Sequence, residues 1–165
     1  MKFLDALKEQ ILVLDGAMGS MVQLLKLPDS AYGGEEYAML SDLLVFSRPD
    51  QVRDNIHLEY LQAGANILET NTFGASPLRL QEFDFSKMDL SDFADLPEGL
   101  DFLENDYDAL THYFNIRGIE LAQDAIEKYK KMDEYDGRPL FVAGSIGPSN
   151  WVISSTAANL NKTDF

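Results

Sequence analysis

An apolar run that breaks off into Glu-Thr-Asn-Thr-Phe-Gly, at Ile67-Leu-Glu-Thr-Asn-Thr-Phe-Gly-Ala75, constrains this chain more than any other feature. The apolar part has strand length, the polar residues follow with no spacer, and Gly74 lets the chain turn. The same design occurs at Ile11-Leu-Val-Leu-Asp-Gly-Ala-Met-Gly19 and at Leu140-Phe-Val-Ala-Gly-Ser-Ile-Gly-Pro148. The unbroken run Ile11–Leu14 suits a parallel strand covered on both faces. In α/β folds ligands bind at the carboxyl ends of the strands. Three polar, glycine-rich strand ends therefore imply one shared site.

Helical patterns fill the intervals. Residues 3–9 place Phe3, Leu4 and Leu7 on one side of a short helix, and Met21, Val22, Leu24 and Leu25 predict another that stops near Pro28. Leu43–Phe46 is apolar but too short to assign. At Ser47-Arg-Pro-Asp50 the Ser47 hydroxyl is expected to cap a helix, with Pro49 in its first turn and Asp50 at its positive end. Val52, Ile56, Tyr60 and Ala63 follow at helical spacing, and Gly64 is the expected stop. A second long helix is predicted over 107–131, with Leu110, Phe114, Leu121, Ala122, Ala125 and Tyr129 as its buried stripe. Strand, helix, strand, helix, strand makes two βαβ units and an α/β fold with parallel strands. Three such strands leave edges and faces to be covered. The tail after Trp151 shows no periodicity, and no closing element precedes the last residue, Phe165.

Residues 82–108 hold ten acids and one base, Lys87, and so supply nine of the fifteen excess negative charges. Phe85, Met88, Leu90, Phe93, Leu96, Leu100 and Phe102 are interleaved with them, which a purely solvated linker would lack. The segment reads as an insertion that packs loosely and turns an acidic face to solvent. A net charge of -15 argues against nucleic acid or an anionic membrane as partner. The absence of cysteine excludes disulfides, thiol nucleophiles and thiolate metal sites within the chain. No apolar run approaches the about 18 residues of a membrane-spanning helix. Met1-Lys-Phe-Leu-Asp5 lacks a signal-peptide pattern, so a cytoplasmic location is expected.

Asp15 and Glu69 each stand at a strand end. Carboxylates meeting there can hold an ammonium group, bind a metal or act as acid and base; alternatively each caps its own loop. Two such ends on one sheet edge favour ligand binding. Gly16, Gly19, Gly144 and Gly147 permit positive φ and close backbone approach, with simple turn geometry as the alternative. Gly16-Ala-Met-Gly19 lacks the third glycine of a dinucleotide fingerprint, and Ala143 stands where a serine-hydrolase elbow around Ser145 needs glycine. His57 and His112 fall in predicted helices without metal-ligand spacing and are expected on the surface or in packing. Trp151 suits either a pocket wall or the core.

Taken together, Leu12-Val-Leu-Asp-Gly-Ala-Met-Gly19, Ser41-Asp-Leu-Leu-Val-Phe-Ser-Arg-Pro49, Ala63-Gly-Ala-Asn-Ile-Leu-Glu-Thr-Asn-Thr-Phe73 and Phe141-Val-Ala-Gly-Ser-Ile-Gly-Pro-Ser-Asn150 resemble the homocysteine S-methyltransferase family. The nearest likeness is to the amino-terminal homocysteine-binding domain of cobalamin-dependent methionine synthases. The resemblance covers about residues 8–80 and 108–155. It implies a (β/α)8 TIM barrel, which typically needs about 250 residues, so the chain is expected to be the amino-terminal part of such a domain over 1–165, with the acidic insertion at about 82–108. It also implies methyl transfer to the homocysteine sulfur, giving methionine. Zinc held by three cysteines activates the thiol in that family, and methylcobalamin is carried by another domain. This chain has no cysteine, so it is expected to contribute no catalytic or metal-binding residue and to be inactive alone. The implied homocysteine-binding residues are Asp15, Gly16, Ala17 and Met18; Glu69, Thr70, Asn71 and Thr72; and Gly144, Ser145 and Gly147. The carboxylates would face the substrate ammonium and backbone N–H groups its carboxylate. The implied partners are the rest of the barrel and the cobalamin and folate domains. The competing expectation is a non-catalytic half-barrel that needs a complementary half or self-assembly.

Overall fold

A computed structural model of the protein describes residues 1–94 and 96–148; Trp151 and the tail lie outside them. Extended backbone at 11–15 meets β1 (Ile67–Glu69) in parallel through one bridge, Leu14 to Ile67. There the Ile67 N–H donates to Val13 O at 3.1 Å and the Asp15 N–H to Ile67 O at 2.9 Å. On its other side β1 pairs in parallel with β2 (Phe141–Ala143), Ile67 opposite Phe141 and Glu69 opposite Ala143. Spatial order thus follows chain order, as in an arc of a barrel and unlike the reversing order of a doubly wound sheet. The first strand departs from expectation. It is a single bridge rather than a strand over 11–14, and it is not covered on both faces: Ile11 is 91% exposed, and Val13 and Leu14 are exposed too. Its backbone pairs only on the β1 side among the described residues.

The helices follow the sequence closely. α1 (Phe3–Glu9) brings Phe3 edge-on to Phe141, ring centroids 5.2 Å apart. α2 (Met18–Leu25) ends with Lys26 in the left-handed region, just before Pro28. The unassigned run is helical and wholly buried as α3 (Leu44–Ser47). This corrects the expected cap: Ser47 closes α3, its hydroxyl donates to Ala31 O, and Arg48 stands at the cap of the next helix without capping it through its side chain. That helix begins with Pro49 in α4 (Pro49–Val52), widens into a π-turn over Arg53–His57, and continues as α5 (Leu58–Gln62). Gly64, at φ +107°, ends it in a Schellman motif: the Ala65 N–H donates to Tyr60 O and the Gly64 N–H to Leu61 O, each at 3.0 Å.

After the short α6 (Pro77–Leu80) the chain runs to α7 (Tyr107–Tyr129), capped by Asp106, whose carboxylate accepts the Ala109 N–H at 3.0 Å. All six residues of the expected stripe are buried, together with Gly118 and Ile126. Leu58, Leu61 and Leu68 meet Ala122, Ala125 and Ile126 in one core that joins α5, β1 and α7. Arg138 locks this unit: its guanidinium lies over the Tyr129 ring, donates to Tyr129 Oη at 3.0 Å, and donates to the carbonyls of Leu61 and Ala65 at the end of α5.

The acidic segment is packed tightly, not loosely. Phe85 and Phe102 are fully buried, and Phe102 makes edge contacts with Phe46, Phe93 and Phe114 at centroid distances of 5.9, 5.6 and 5.9 Å. Its acids turn the chain as well as meeting water. Asp84 accepts from the Ser86 N–H, Asp89 from the Ser91 N–H and Asp101 from the Leu103 N–H, and Asp92 pairs with Arg48. Short polar side chains bonding the backbone two residues ahead are what tight turns require. They free the interleaved phenylalanines to face inward. Among the described residues no helix is long and apolar enough to cross a membrane.

Candidate functional site

Because the strands are parallel, their carboxyl ends lie on one edge, and that edge carries the predicted residues. Asp15 is half-buried, and one carboxylate oxygen accepts the Glu69 N–H at 2.9 Å. It therefore ties the first strand end to the second. Desolvation pushes its pKa up to about 6; the bond from Glu69 opposes this and the Glu69 charge adds to it. Gly16 leads to Ala17, which sits at φ 43° and starts α2 at Met18. None of Gly16, Gly19, Gly144 and Gly147 has a positive φ; the left-handed position in this turn falls on an alanine instead. Space is open around Gly16, Gly19 and Gly144. Only Gly147 needs to be glycine for contact, since a Cβ there would collide with Phe73 O, to which its N–H donates at 2.9 Å.

The second strand end is sealed by its neighbours. The Thr70 N–H donates to Ala143 O at 2.9 Å, continuing the sheet. The Thr72 hydroxyl donates to Ser145 O at 3.0 Å, so in the 2.6 Å contact between the two threonine hydroxyls Thr70 is the donor. Thr70 Oγ1 in turn accepts the Ser145 N–H at 3.0 Å. Asn71 donates to Ser41 O at 2.8 Å. From beneath, Gly118 of α7 abuts Thr72, and a Cβ at 118 would overlap its methyl group. Thr70, Asn71 and Thr72 are all buried.

A cavity of about 330 Å³ opens beside this knot, within the size range of small-molecule sites. Met18, Glu69, Thr70, Asn71 and Ser145 of the predicted set line it, with Gly19, Ser41 and Phe73. Asp15, Gly16, Ala17, Thr72, Gly144 and Gly147 stand at the same strand ends but do not line it. Phe73 could have been read from the motif it closes. Ser41 opens one of the four blocks of the resemblance, but nothing in the run after it placed it at the strand ends. A second cavity of about 340 Å³, with Asp42, Gly74 and Arg79 in its wall, shares Ser41 and Phe73 with the first. The first offers a carboxylate and hydroxyls between the apolar walls of Met18 and Phe73, a lining for a small polar molecule with a cationic end. Among the described residues no group of three or more His, Asp or Glu side chains is placed to hold a metal ion.

His57 lies away from this edge. It is fully buried in the π-turn, neither ring nitrogen has a hydrogen-bond partner among the described residues, and burial pushes its pKa down to about 4.

The homocysteine S-methyltransferase family matches the chain over residues 12–165. Among solved structures, the homocysteine methyltransferase MmuM from Escherichia coli in its oxidized form aligns at 29% identity and a TM-score of 0.59, covering 88% of this chain and 40% of that one. Its metallated form aligns at 25% identity and the same TM-score, covering 94% and 43%. The chain therefore spans less than half the length of either. The parallel arc, its strand order and these alignments make the fold part of a (β/α)8 barrel, and the chain belongs to the homocysteine S-methyltransferase family.

Proposed function

We propose that this chain supplies the homocysteine-binding part of a methyltransferase of the methionine synthase type, which moves a methyl group to the homocysteine sulfur. One observation carries the reading: in a chain of this family, Glu69, Thr70, Asn71 and Ser145 converge on one cavity at the carboxyl edge of the sheet. Glu69, with Asp15 beside it, faces the substrate ammonium, whereas the expected contact of the substrate carboxylate with the 144–147 turn cannot use the Ser145 and Gly147 N–H groups, which already donate to Thr70 Oγ1 and Phe73 O. Methyl transfer needs a thiolate, which zinc supplies when bound by lowering the thiol pKa. This chain has no cysteine, and its described side chains do not form a zinc site, so on this reading the chain itself contributes no zinc ligand. Methylcobalamin is likewise held by another domain, in a cytoplasmic enzyme. The chain by itself binds homocysteine and does not turn it over.

Calorimetric titration with L-homocysteine tests this. Asp15→Asn and Glu69→Gln should each weaken binding by about tenfold, the scale of one hydrogen bond to a charged group. Wild-type affinity should fall as pH drops through about 6, where Asp15 takes up its proton. Unchanged affinity in both variants rejects the assignment.

A second reading rests on the exposed Ile11, Val13 and Leu14 and on relatives more than twice as long. Here residues 1–165 are the amino-terminal part of one barrel domain, with 82–108 as an insertion, and bind homocysteine only after a complementary half covers the sheet. Titration before and after adding the remaining half separates the two.

A further inference from the structure

Building on that reading of the cavity, we propose that Asp42 is a positioning residue: its carboxylate fixes the Phe73–Gly74 turn so that the Phe73 ring stands as a rigid wall of the substrate cavity. Phe73 is 60% exposed, yet Thr70, Asn71, Thr72 and Ala75 around it are buried. Its backbone is held from three sides. Asp42, only 2% exposed, accepts the Gly74 N–H at 2.8 Å. Ser41 engages the Asn71 side chain through its carbonyl, and the Gly147 N–H donates to Phe73 O. Asn115 of α7 adds a bond to Ala75 O at 3.0 Å. The fit under the turn is close: a Cβ on residue 74 would lie 2.9 Å from the second Asp42 oxygen, so the carboxylate and the glycine need each other.

The charged group facing Asp42 is Arg79, one turn into α6, and its guanidinium is already paired with Glu82 and laid over Phe83. The Asp42 carboxylate therefore works mainly on backbone donors of the turn. Phe73 lines both cavities at the strand edge, so its position decides whether a ligand meets one cavity or two merged ones. A wall held this way selects by size: homocysteine fits against the ring, and a thioether with a bulky sulfur substituent does not.

The test combines amide hydrogen exchange on the chain with titration of L-homocysteine and S-benzyl-L-homocysteine. In Asp42→Ala the Gly74 amide should exchange about tenfold faster relative to the Leu121 amide in the core, the loss of one charged hydrogen bond. Preference for homocysteine over the benzyl derivative should fall by about the same factor. Phe73→Ala should lose the preference while leaving Gly74 exchange unchanged, and Asp42→Asn, which keeps an acceptor, should restore most of both. Gly74 and Leu121 exchanging in step in Asp42→Ala would overturn the proposal, because the residue would then serve only global stability. So would a preference intact in both Asp42→Ala and Phe73→Ala. A wild-type chain that binds neither ligand sinks the homocysteine reading instead, and Gly74 exchange still decides whether Asp42 holds the turn.

Discussion

Residues 82–108 and residues 11–14 invert what their compositions promise. The first carries ten acids and reads as a solvated excursion; the second is an unbroken apolar run and reads as core. In the structure Phe85 and Phe102 of the acidic segment are fully buried, whereas Ile11 and Val13 of the apolar run are exposed. The difference lies in partners. Phe102 meets the rings of Phe46 in α3 and Phe114 in α7, Phe85 meets Tyr107 of α7, and Asp84, Asp89 and Asp101 satisfy backbone N–H groups between them. Among the described residues the apolar run has a neighbouring strand on one side only. Burial follows from what packs against a residue, and mean polarity is a weak guide to it.

The contrast can be broken most directly at its centre. Phe102→Ala should cost about 3–5 kcal/mol in urea unfolding, as for other large-to-small changes at buried aromatic positions; a cost under about 1 kcal/mol would return the segment to the status of a loose insertion.

Polar groups give a sharper form of the same contrast, since Asp84, Asp89, Asp92 and Asp101 of the segment have partners and buried His57 has none among the described residues. Its folded pKa is near 4 against an ordinary 6.5. The unfolded chain therefore binds more protons between those values, and stability falls as pH drops from about 6.5 to 4. His57→Leu should remove on the order of 3 kcal/mol of that acid-side loss, measured as the difference between wild-type and variant unfolding at the two pH values. Asp42, raised to about 6, has the opposite sign: its contribution to stability declines as pH rises from about 4 to 6. The comparison must therefore be made variant against wild type and not from the wild-type curve alone.

Smaller effects refine it. Asp106→Ala removes the α7 cap at the end of the acidic segment and should cost about 1 kcal/mol, with Asp106→Asn nearly neutral. Smallest of all, Ile11→Ser should change stability by less than about 0.5 kcal/mol. A large loss there would mean the apolar run is covered in solution, for instance by a second copy of the chain, and sedimentation of the wild type would show it.

Much of the architecture was legible because its signals are local. The stripe of α7, the Pro49 start and the Gly64 stop each depend on a few neighbouring residues. Ser47 misled because a good capping residue next to proline looks the same whether it opens a helix or closes the buried one before it. The strand ends were found from their composition, but their wiring was not. That Thr70 and Thr72 spend their hydroxyls on the 145 turn, or that Gly118 exists to admit Thr72, depends on contacts across 46 to 75 residues of sequence, which no local pattern encodes. Ser41 and Asp42 went unread for the same reason.

Arg138 carries a consequence for how the molecule is made. The carbonyls of Leu61 and Ala65, laid down early in synthesis, wait for a guanidinium that leaves the ribosome more than seventy residues later. Until it arrives, the end of α5 and Tyr129 are joined by apolar packing alone. The junction of α5 and α7 thus receives its last polar ties only once residue 138 has been made, just ahead of the third strand.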